Sequence, residues 1–299
     1  MTVASLNTSK IGAATYKGAH IRQVKILKEA GFNAIRMSHN PAAPALLAAC
    51  DEIGMYVMDE TFDMWTRFKS DFDYSQVFTE KWEEDVQAMV ESDFNHPCVV
   101  MYSIGNEIPE IGTKHGSRIA RQIVYKVKSM DPSRPTLASI NGVFAAGDDI
   151  MTIMADIASD NDMSFEGNIN DFMTLMDTQM HNIVRHETVS KNLEFATAST
   201  DIAGYNYMTA RYEEDAVNYP NRVMVGSETY PPQIAENWDI ITKTPSVIGD
   251  FTWTGWDYIG EAGVGIPAYN FGEGGFGAHF PAQLSYVGDR LPSSCFLLP

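Results

Sequence analysis

Short apolar strands alternate with amphipathic helices along most of the chain, and this alternation constrains the fold more than any other feature. The strand segments are apolar, and polar residues follow directly after them. We predict the strands Asn33–Ser38, Met55–Asp59, Val99–Ile104, Pro135–Ile140, Ile202–Tyr207, Val223–Gly226 and Val247–Trp253. Such an alternation is typical of parallel βαβ units, in which helices cover a buried parallel sheet.

Helical patterns with apolar residues on one face lie between these strands. The predicted helices are His20–Ala30, Pro44–Gly54, a third that Thr79 is expected to cap, and a fourth from Ser117 to Met130. Their positions suit either a barrel or an open doubly wound sheet. No glycine-rich phosphate-binding turn follows the first predicted strand, so the barrel is favoured.

A (β/α)8 TIM barrel takes about 250 residues, so the length of 299 predicts a single α/β barrel domain over residues 1–299. The acidic, methionine-rich stretch of about 144–200 is predicted to be an insertion, which either elaborates the active-site face or has no role there. Other expected features are short helices around Asp171–Met180, a turn near Gly167, a loop over Gly260–Gly277 and no clear structure over Leu291–Pro299.

The first strand of the barrel is open to two interpretations. Either Met1–Leu6 forms a reduced first strand, or the barrel has an open seam between its first and last strands. An open strand edge exposes unpaired backbone groups to other chains. We therefore expect a homo-oligomer, or the 144–200 segment, to cover such a seam.

Charge and composition exclude several kinds of partner. Lys and Arg number 21 against 39 Asp and Glu, a net charge of -18, so nucleic acid is not expected as a partner. Cys50, Cys98 and Cys295 lack metal-ligand spacing and are interpreted as free thiols; no metal or cofactor is expected. No apolar run approaches a membrane span, and Met1–Lys10 lacks the signal-peptide pattern, which predicts a soluble protein, cytoplasmic by default.

Reactive side chains of a parallel barrel gather where its strands end. Glu107 and Glu228 each follow such a strand. Cleavage of a glycosidic bond needs one protonated and one ionised carboxyl group, and a retaining enzyme holds the two about 5–5.5 Å apart. Strands on opposite sides of a barrel can supply that spacing. Taken alone, however, a glutamate after a strand is more often an ordinary solvated loop residue.

Longer motifs around these glutamates resemble a known family. They are Gly31–Pro41 (GFNAIRMSHNP), Asp51–Glu60 (DEIGMYVMDE), His96–Glu107 (HPCVVMYSIGNE), Val225–Thr229 (VGSET) and Gly249–Tyr258 (GDFTWTGWDY). Their order and content resemble the barrel strands of glycoside hydrolase family 2, the β-galactosidase and β-glucuronidase family. The resemblance covers roughly Ile11 to Gly288. It implies a catalytic barrel without the β domains that normally precede it.

This resemblance implies roles for individual residues. Glu107 is expected to be the general acid/base and Glu228 the nucleophile. Asn106 is expected to hydrogen-bond the sugar 2-hydroxyl, and Tyr207 to hold Glu228 ionised through its phenolic hydroxyl. Trp253 is expected to offer an apolar face to the sugar ring, although an aromatic residue at a strand end more often belongs to the core.

The polar residues at other strand ends each have two possible roles. Asn206 either contacts substrate or caps the next helix. Arg36 is expected to form a buried ion pair with Asp59 or Glu228, which would be structural as much as catalytic. His39 either binds a sugar hydroxyl or supports a neighbouring group, and its spacing from Asp59 does not make a zinc site.

The leading hypothesis is hydrolysis of terminal β-linked sugars with retention, and β-galactosidase is the preferred specificity. By the resemblance, β-glucuronidases carry an Asn-x-Lys element after the eighth strand, and none follows Trp253. The acidic net charge also disfavours an anionic sugar. β-Glucuronidase and β-mannosidase are the alternatives within the family. The rival from another class is a catalytically weak or inactive sugar-binding barrel, or a fragment that needs a partner chain.

Overall fold

Eight parallel strands in sequential order close into a barrel in the computed structural model, which describes residues 2–6, 16–161 and 178–256. The strands are β1 (Thr2–Leu6), β2 (Ala34–Met37), β3 (Tyr56–Glu60), β4 (Val99–Asn106), β5 (Thr136–Asn141), β6 (Ile202–Asn206), β7 (Met224–Thr229) and β8 (Val247–Trp256). The predicted α/β barrel and the seven predicted strands are confirmed. The main difference is that β4, β7 and β8 run two or three residues further than predicted, so Asn106 and Glu228 lie within strands.

The helices surround the barrel and fill the segment between β5 and β6. They are α1 (Lys17–Glu29), α2 (Pro44–Ile53), α3 (Ser75–Asp93), α4 (Lys114–Met130), α5 (Gly142–Ala146), α6 (Ile150–Asp160), α7 (178–185), α8 (Glu187–Thr197), α9 (Tyr212–Asn218) and α10 (Ile234–Lys243). Short 3-10 helices occupy Gly147–Asp149, Thr209–Arg211 and Pro231–Gln233. None of these described helices is long and apolar enough to cross a membrane.

β1 decides between the two interpretations of the barrel seam. It pairs in parallel with β2, where Val3 lies opposite Ala34, and with β8, where Thr2 lies opposite Asp250. The expectation that Met1–Leu6 forms a reduced first strand is therefore confirmed, and the open-seam alternative is wrong. The homo-oligomer expected to cover a seam loses that reason and stays an untested prediction.

The alternation of side chains along each strand determines which residues enter the barrel. Inside it, residues from successive strands form a small buried apolar cluster: Ala34, Met58, Met101, Leu137, Ile202, Val225 and Phe251. A larger apolar layer lies between the strands and the helices. On β3, Met58 and Glu60 thus share the inner face, whereas Asp59 faces the surrounding helices.

Three helices begin earlier than the sequence pattern predicts. α1 begins at Lys17 and not at His20, and the other two are α3 and α4. α3 begins at Ser75, so Thr79 lies inside it and the predicted cap at Thr79 is wrong. Asp73 instead accepts hydrogen bonds from the backbone N–H and the hydroxyl of Ser75. α4 begins just after Thr113, whose hydroxyl oxygen accepts a bond from the backbone N–H of Gly116. In both helices a polar side chain near the first turn accepts an otherwise free N–H and sets where the helix starts.

The insertion between β5 and β6 is largely helical. α5 and α8 pack against each other, and Asn192 on α8 donates to the carbonyl of Ala145 on α5 at 2.8 Å. Of the helix predicted around Asp171–Met180, the described part, 178–180, is helical. Other predictions lie outside the described residues: the turn near Gly167, the loop Gly260–Gly277 and the tail Leu291–Pro299.

Candidate active site

The polar residues at the carboxyl ends of the strands converge around Arg36 on β2. The guanidinium of Arg36 is fully buried. It donates to Glu228 Oε2 at 2.7 Å, to Glu60 Oε2 at 2.8 Å and to Asn106 Oδ1 at 2.8 Å. One arginine thereby connects β2, β3, β4 and β7 at a single end of the barrel.

Glu60 is a member of this network to which the sequence reasoning assigned no role. Its buried carboxylate accepts hydrogen bonds from Ser103 Oγ at 2.6 Å and Ser139 Oγ at 3.1 Å, and it lies 2.7 Å from His39 Nδ1. Burial raises the pKa of Glu60, but the Arg36 charge and these contacts outweigh burial and lower the pKa to about 2. The position of Glu60 at the end of β3 could have indicated that it belongs to the site. It was given no role because the expected mechanism uses only two carboxyl groups.

The expected ion pair between Arg36 and Asp59 is wrong. Asp59 accepts hydrogen bonds from the backbone N–H groups of Ala42, at 3.0 Å, and Glu60, at 2.9 Å. Arg36 pairs instead with Glu60 and with Glu228, which was its other expected partner. Because adjacent residues of a strand face opposite sides of a sheet, only one of the two neighbouring acids on β3 reaches the barrel interior.

Glu228 lies inside β7 and is 5% exposed. Its Oε2 accepts hydrogen bonds from Arg36 and from Asn206 Nδ2, the latter at 3.1 Å, and its Oε1 accepts one from the Tyr207 hydroxyl at 2.6 Å. Burial and the neighbouring Glu228 charge raise the pKa of Tyr207, so Tyr207 remains a donor. Both carboxylate oxygens are therefore held by donors on β2 and at the end of β6.

Glu107 follows β4 directly and is half-buried. Its Oε1 accepts hydrogen bonds from Asn141 Nδ2 at 2.8 Å and from Asn206 Nδ2 at 3.3 Å. Burial, and then the negative charge of Glu228, raise the pKa of Glu107 against the opposing effects of Asn141 and Lys69. The raised pKa suits a carboxyl group that must carry a proton.

Glu107 and Tyr207 both adopt the left-handed backbone conformation, with φ angles of 46° and 56°. This conformation is uncommon for residues other than glycine and costs roughly 1–3 kcal/mol. The backbone N–H of Glu107 donates to the carbonyl of Ser139, and that of Tyr207 to the carbonyl of Glu228, each at 2.7 Å. Bonds to the neighbouring strand thus hold both residues in a conformation that they would not adopt alone.

Asn206 lies between the two glutamates, and it also lies 2.9 Å from Asn106 Oδ1. Ser227 Oγ donates to Asn206 Oδ1 at 2.7 Å, so both ends of this amide are fixed. The alternative in which Asn206 caps the next helix is wrong, because Met208 occupies that cap position. Asn106 itself donates to Asp63 Oδ1 at 2.8 Å.

Two aromatic pairs stand at the mouth of the site. Trp253 on β8 stacks on His39, with ring centroids 5.2 Å apart and ring planes 8° apart. Tyr207 contacts Tyr230 with centroids 4.4 Å apart. Trp253 is therefore half-buried beside the polar network and does not belong to the core. Tyr230 was missed, although its position directly after β7 was a usable signal.

Lys69 enters the site from the loop between β3 and α3. Its Nζ donates to Asp63 Oδ1 at 2.8 Å and to the carbonyl of Asn106 at 2.9 Å. Sequence reasoning missed both Lys69 and Asp63, because attention to strand ends does not reveal which loop residues fold back over the barrel.

The chain matches a known protein family. Residues 8–260 match the family model described as glycosyl hydrolases family 2, TIM barrel domain. The chain belongs to glycosyl hydrolase family 2. The resemblance read from the five strand motifs is thereby confirmed.

Relatives within family 2 are considerably longer than this chain. A β-galactosidase of Bacteroides ovatus, BoGH2A, is 30% identical over 84% of this chain and 33% of its own length. A putative β-glucuronidase of Formosa agariphila is 30% identical over 89% of this chain and 26% of its own length. The crystal structure of a family 2 member from Bacteroides cellulosilyticus matches 90% of this chain and 29% of that chain, with 36% identity and a TM-score of 0.69. The chain thus spans about a third or less of these relatives.

Residues able to bind a metal ion lie at the other end of the family 2 barrel, where α2 ends and β4 begins. The ligand atoms of Asp51, His96 and Cys98 lie within 4.8 Å of one another. They already bond each other, since His96 Nδ1 lies 2.6 Å from Asp51 Oδ2 and the Cys98 N–H donates to Asp51 Oδ1. Cys50 and Cys98 are buried free thiols as predicted, and Cys295 lies outside the described residues.

Proposed function

We propose that the chain is the catalytic barrel of a retaining glycosidase that removes terminal β-linked sugars, with Glu107 as general acid/base and Glu228 as nucleophile. The observation that carries this proposal is the amide of Asn206, whose Nδ2 lies 3.3 Å from Glu107 Oε1 and 3.1 Å from Glu228 Oε2. The two oxygens that share this donor are at most about 6.4 Å apart, which favours a separation below the about 6.5–9.5 Å of inverting enzymes. They suit the about 5–5.5 Å of retaining enzymes.

The first step transfers the sugar to the protein. Glu107 gives its proton to the glycosidic oxygen, the bond from that oxygen to the anomeric carbon breaks, and the aglycone leaves as an alcohol. Glu228 attacks the anomeric carbon from the opposite face and forms a glycosyl ester. The raised pKa of Glu107 supports its role as the acid. The donors Arg36 and Tyr207 support the role of Glu228, because they orient its two oxygens.

The second step returns the protein to its starting state. Glu107, now a carboxylate, takes a proton from water, and the resulting hydroxide attacks the anomeric carbon while the ester bond to Glu228 breaks. Two inversions give net retention. Glu107 is protonated again, as the next turnover requires.

Other residues of the network are proposed to hold the sugar. Asn106 uses one hydrogen of its amide nitrogen on Asp63, and the other is proposed for the sugar 2-hydroxyl. Trp253 is proposed as the flat wall for the ring, held by its stacking on His39. His39 also contacts Glu60 directly, which supports a role for His39 in orienting Trp253.

A neutral sugar such as a β-galactoside is the preferred substrate. Among the described residues of the site, Arg36 is paired with Glu60 and Glu228, and Lys69 is paired with Asp63. Neither cation is left to pair with the carboxylate of a uronic acid. One relative is a β-galactosidase and another a putative β-glucuronidase, so β-glucuronidase and β-mannosidase stay as alternatives to be tested.

The test is turnover of 4-nitrophenyl β-galactoside by the wild type and by the variants Glu107→Ala and Glu228→Ala. We expect each substitution to lower kcat by roughly 10²–10⁴-fold, because each removes a group that acts in the transition state. Azide should partly restore Glu228→Ala and yield the glycosyl azide of inverted configuration, since it occupies the face from which Glu228 attacks.

Glu91→Ala, on an exposed position of α3, is the matched control and should retain wild-type turnover. Nitrophenyl β-glucuronide and β-mannoside decide the specificity. Wild-type turnover no higher than that of the Glu107→Ala/Glu228→Ala double variant on all three substrates would contradict the proposal. Retained sugar binding in that case would favour the inactive sugar-binding barrel.

A further inference from the structure

Tyr230 presents an exposed aromatic ring at the mouth of the candidate active site. It follows β7 directly, two residues after Glu228, and it is 47% exposed. Its ring contacts the ring of Tyr207, with centroids 4.4 Å apart and ring planes 30° apart. This contact covers only part of the Tyr230 ring, so the remaining surface is available to a bound molecule.

The backbone at Tyr230 is held in one conformation. The next two residues are prolines, and a residue before proline is confined to extended conformations. Tyr230 has such a conformation, with φ of -78° and ψ of 131°. Its carbonyl accepts a hydrogen bond from the backbone N–H of Gln233 at 3.0 Å, and the preceding Thr229 donates through Oγ1 to Asp250 Oδ2 at 3.1 Å. A ring on a backbone held in this way loses little entropy when a ligand stacks on it.

The position of Tyr230 relates it to both glutamates. The hydroxyl of Tyr207, the ring that Tyr230 contacts, donates to Glu228 Oε1 at 2.6 Å. The negative charges of Glu107 and then Glu228 add to burial in raising the pKa of Tyr230, so its hydroxyl lies near both carboxyl groups. In a retaining glycosidase the acid protonates the oxygen of the leaving group. A side chain near Glu107 can therefore contact the part of the substrate that leaves.

The transferred sugar already has a proposed aromatic wall in Trp253. That residue lies on β8 and stacks on His39, which follows β2. Tyr207 and Tyr230 follow β6 and β7 instead. The two aromatic pairs thus come from different strands, and the exposed ring of Tyr230 is left for the other part of the substrate.

We propose that Tyr230 is the stacking surface for the leaving group, so that the chain prefers β-glycosides whose leaving group carries a flat ring, either a sugar or an aryl group. This inference rests on the proposed function. Aromatic side chains gain favourable contact from stacking on flat apolar surfaces, and a tyrosine loses little side-chain freedom in doing so. A leaving group without a ring, such as methanol, gains no such contact.

Kinetics on three β-galactosides test the proposal: 4-nitrophenyl β-galactoside, lactose and methyl β-galactoside. The quantity compared is kcat/KM, which includes the binding of the leaving group in the transition state. We expect Tyr230→Ala to lower kcat/KM on the two ring-bearing substrates by about three- to tenfold relative to the methyl glycoside. Tyr230→Phe keeps the ring and should retain the wild-type ratios. A loss on only one ring-bearing substrate would support the proposal and identify the kind of ring.

Tyr125→Ala is the matched control, because Tyr125 is an exposed tyrosine on the outer helix α4. It should leave all three ratios unchanged. An equal fall of kcat/KM on all three substrates in Tyr230→Ala would show that Tyr230 acts through Tyr207 and Glu228, and would overturn the proposal.

Binding of thioglycosides, which resist cleavage, separates this proposal from the proposed catalysis. By titration calorimetry, the wild type should bind phenyl 1-thio-β-galactoside more tightly than methyl 1-thio-β-galactoside, and Tyr230→Ala should remove most of this difference. The corresponding compounds are used if the wild type prefers a glucuronide or a mannoside. A phenyl preference without turnover would contradict the proposed function and support the stacking surface. A wild type without a phenyl preference would overturn the stacking surface.

Discussion

Lys69 illustrates how a single residue outside the strands can act on the chemistry. Its positive charge opposes the rise in the pKa of Glu107, which burial and Glu228 cause. A general acid must be protonated, so activity falls as pH rises through its pKa. Lys69→Met removes the positive charge and lets the pKa of Glu107 rise further. We expect the alkaline limb of the pH profile of kcat/KM to move to higher pH.

Arg67→Gln is the matched control for Lys69→Met. Arg67 lies on the same loop, but its half-exposed side chain pairs with Asp148 on the surface. Its substitution should leave the alkaline limb where it is. An alkaline limb that stays in place or moves to lower pH in Lys69→Met would show that Lys69 does not act on the proton of Glu107.

Close packing around β7 holds the strand that carries Glu228, and Gly226 makes that packing feasible. A Cβ atom at Gly226 would lie 2.1 Å from Asp250 Oδ1 and 2.2 Å from Tyr212 Oη. We expect Gly226→Ala to lower the free energy of unfolding in urea by about 1–3 kcal/mol, because an overpacked core must shift. It should also lower kcat, since Glu228 lies two residues further along the strand.

Gly18→Ala on α1 is the matched control for Gly226→Ala, because no atom lies within 4 Å of the added Cβ. This change should leave the stability unchanged or raise it by up to about 1 kcal/mol. If Gly226→Ala unfolded at the same urea concentration as Gly18→Ala, the contacts between β7, β8 and α9 would not limit the packing there.

Closure of the barrel by β1 is a property of the whole molecule. β1 is the strand that joins β8 to β2, through parallel backbone pairing on both of its edges. Ala4→Pro removes a backbone donor from the middle of β1 and should cost about 3 kcal/mol, the upper end of ordinary single substitutions. We expect the melting temperature to fall by roughly 10 °C, measured by circular dichroism.

Thr2→Pro is the comparison, because proline is tolerated at the first residue of a strand. It should melt close to the wild type. Equal melting of the wild type and Ala4→Pro would mean that β1 does not close the barrel. Sedimentation of the wild type tests the remaining expectation of a homo-oligomer. Ala4→Pro should associate more than the wild type, since an opened seam would expose strand edges.

The candidate site shows which residues a strand pattern can reveal. Glu107, Glu228 and Tyr207 lie at strand ends, and the parallel barrel brings all such ends together, so their proximity was predictable. Glu60 also lies at a strand end, but its pairing with Arg36 depends on which face of β3 points inward. Lys69 and Tyr230 were missed because loop conformation depends on contacts that no local pattern encodes.

The sequence alone determined the class of fold and located Glu107 and Glu228, the two proposed catalytic carboxyl groups. The periodicity of apolar residues and the polar ends of the strands are local properties of the sequence. They can be recognised without knowing any tertiary contact. Only the tertiary structure decided that β1 closes the seam, that Asp59 faces α3 and Glu60 faces Arg36, and that Asn206 lies between both glutamates. These outcomes depend on register and on the direction of side chains across strands distant in sequence, which short-range patterns do not contain.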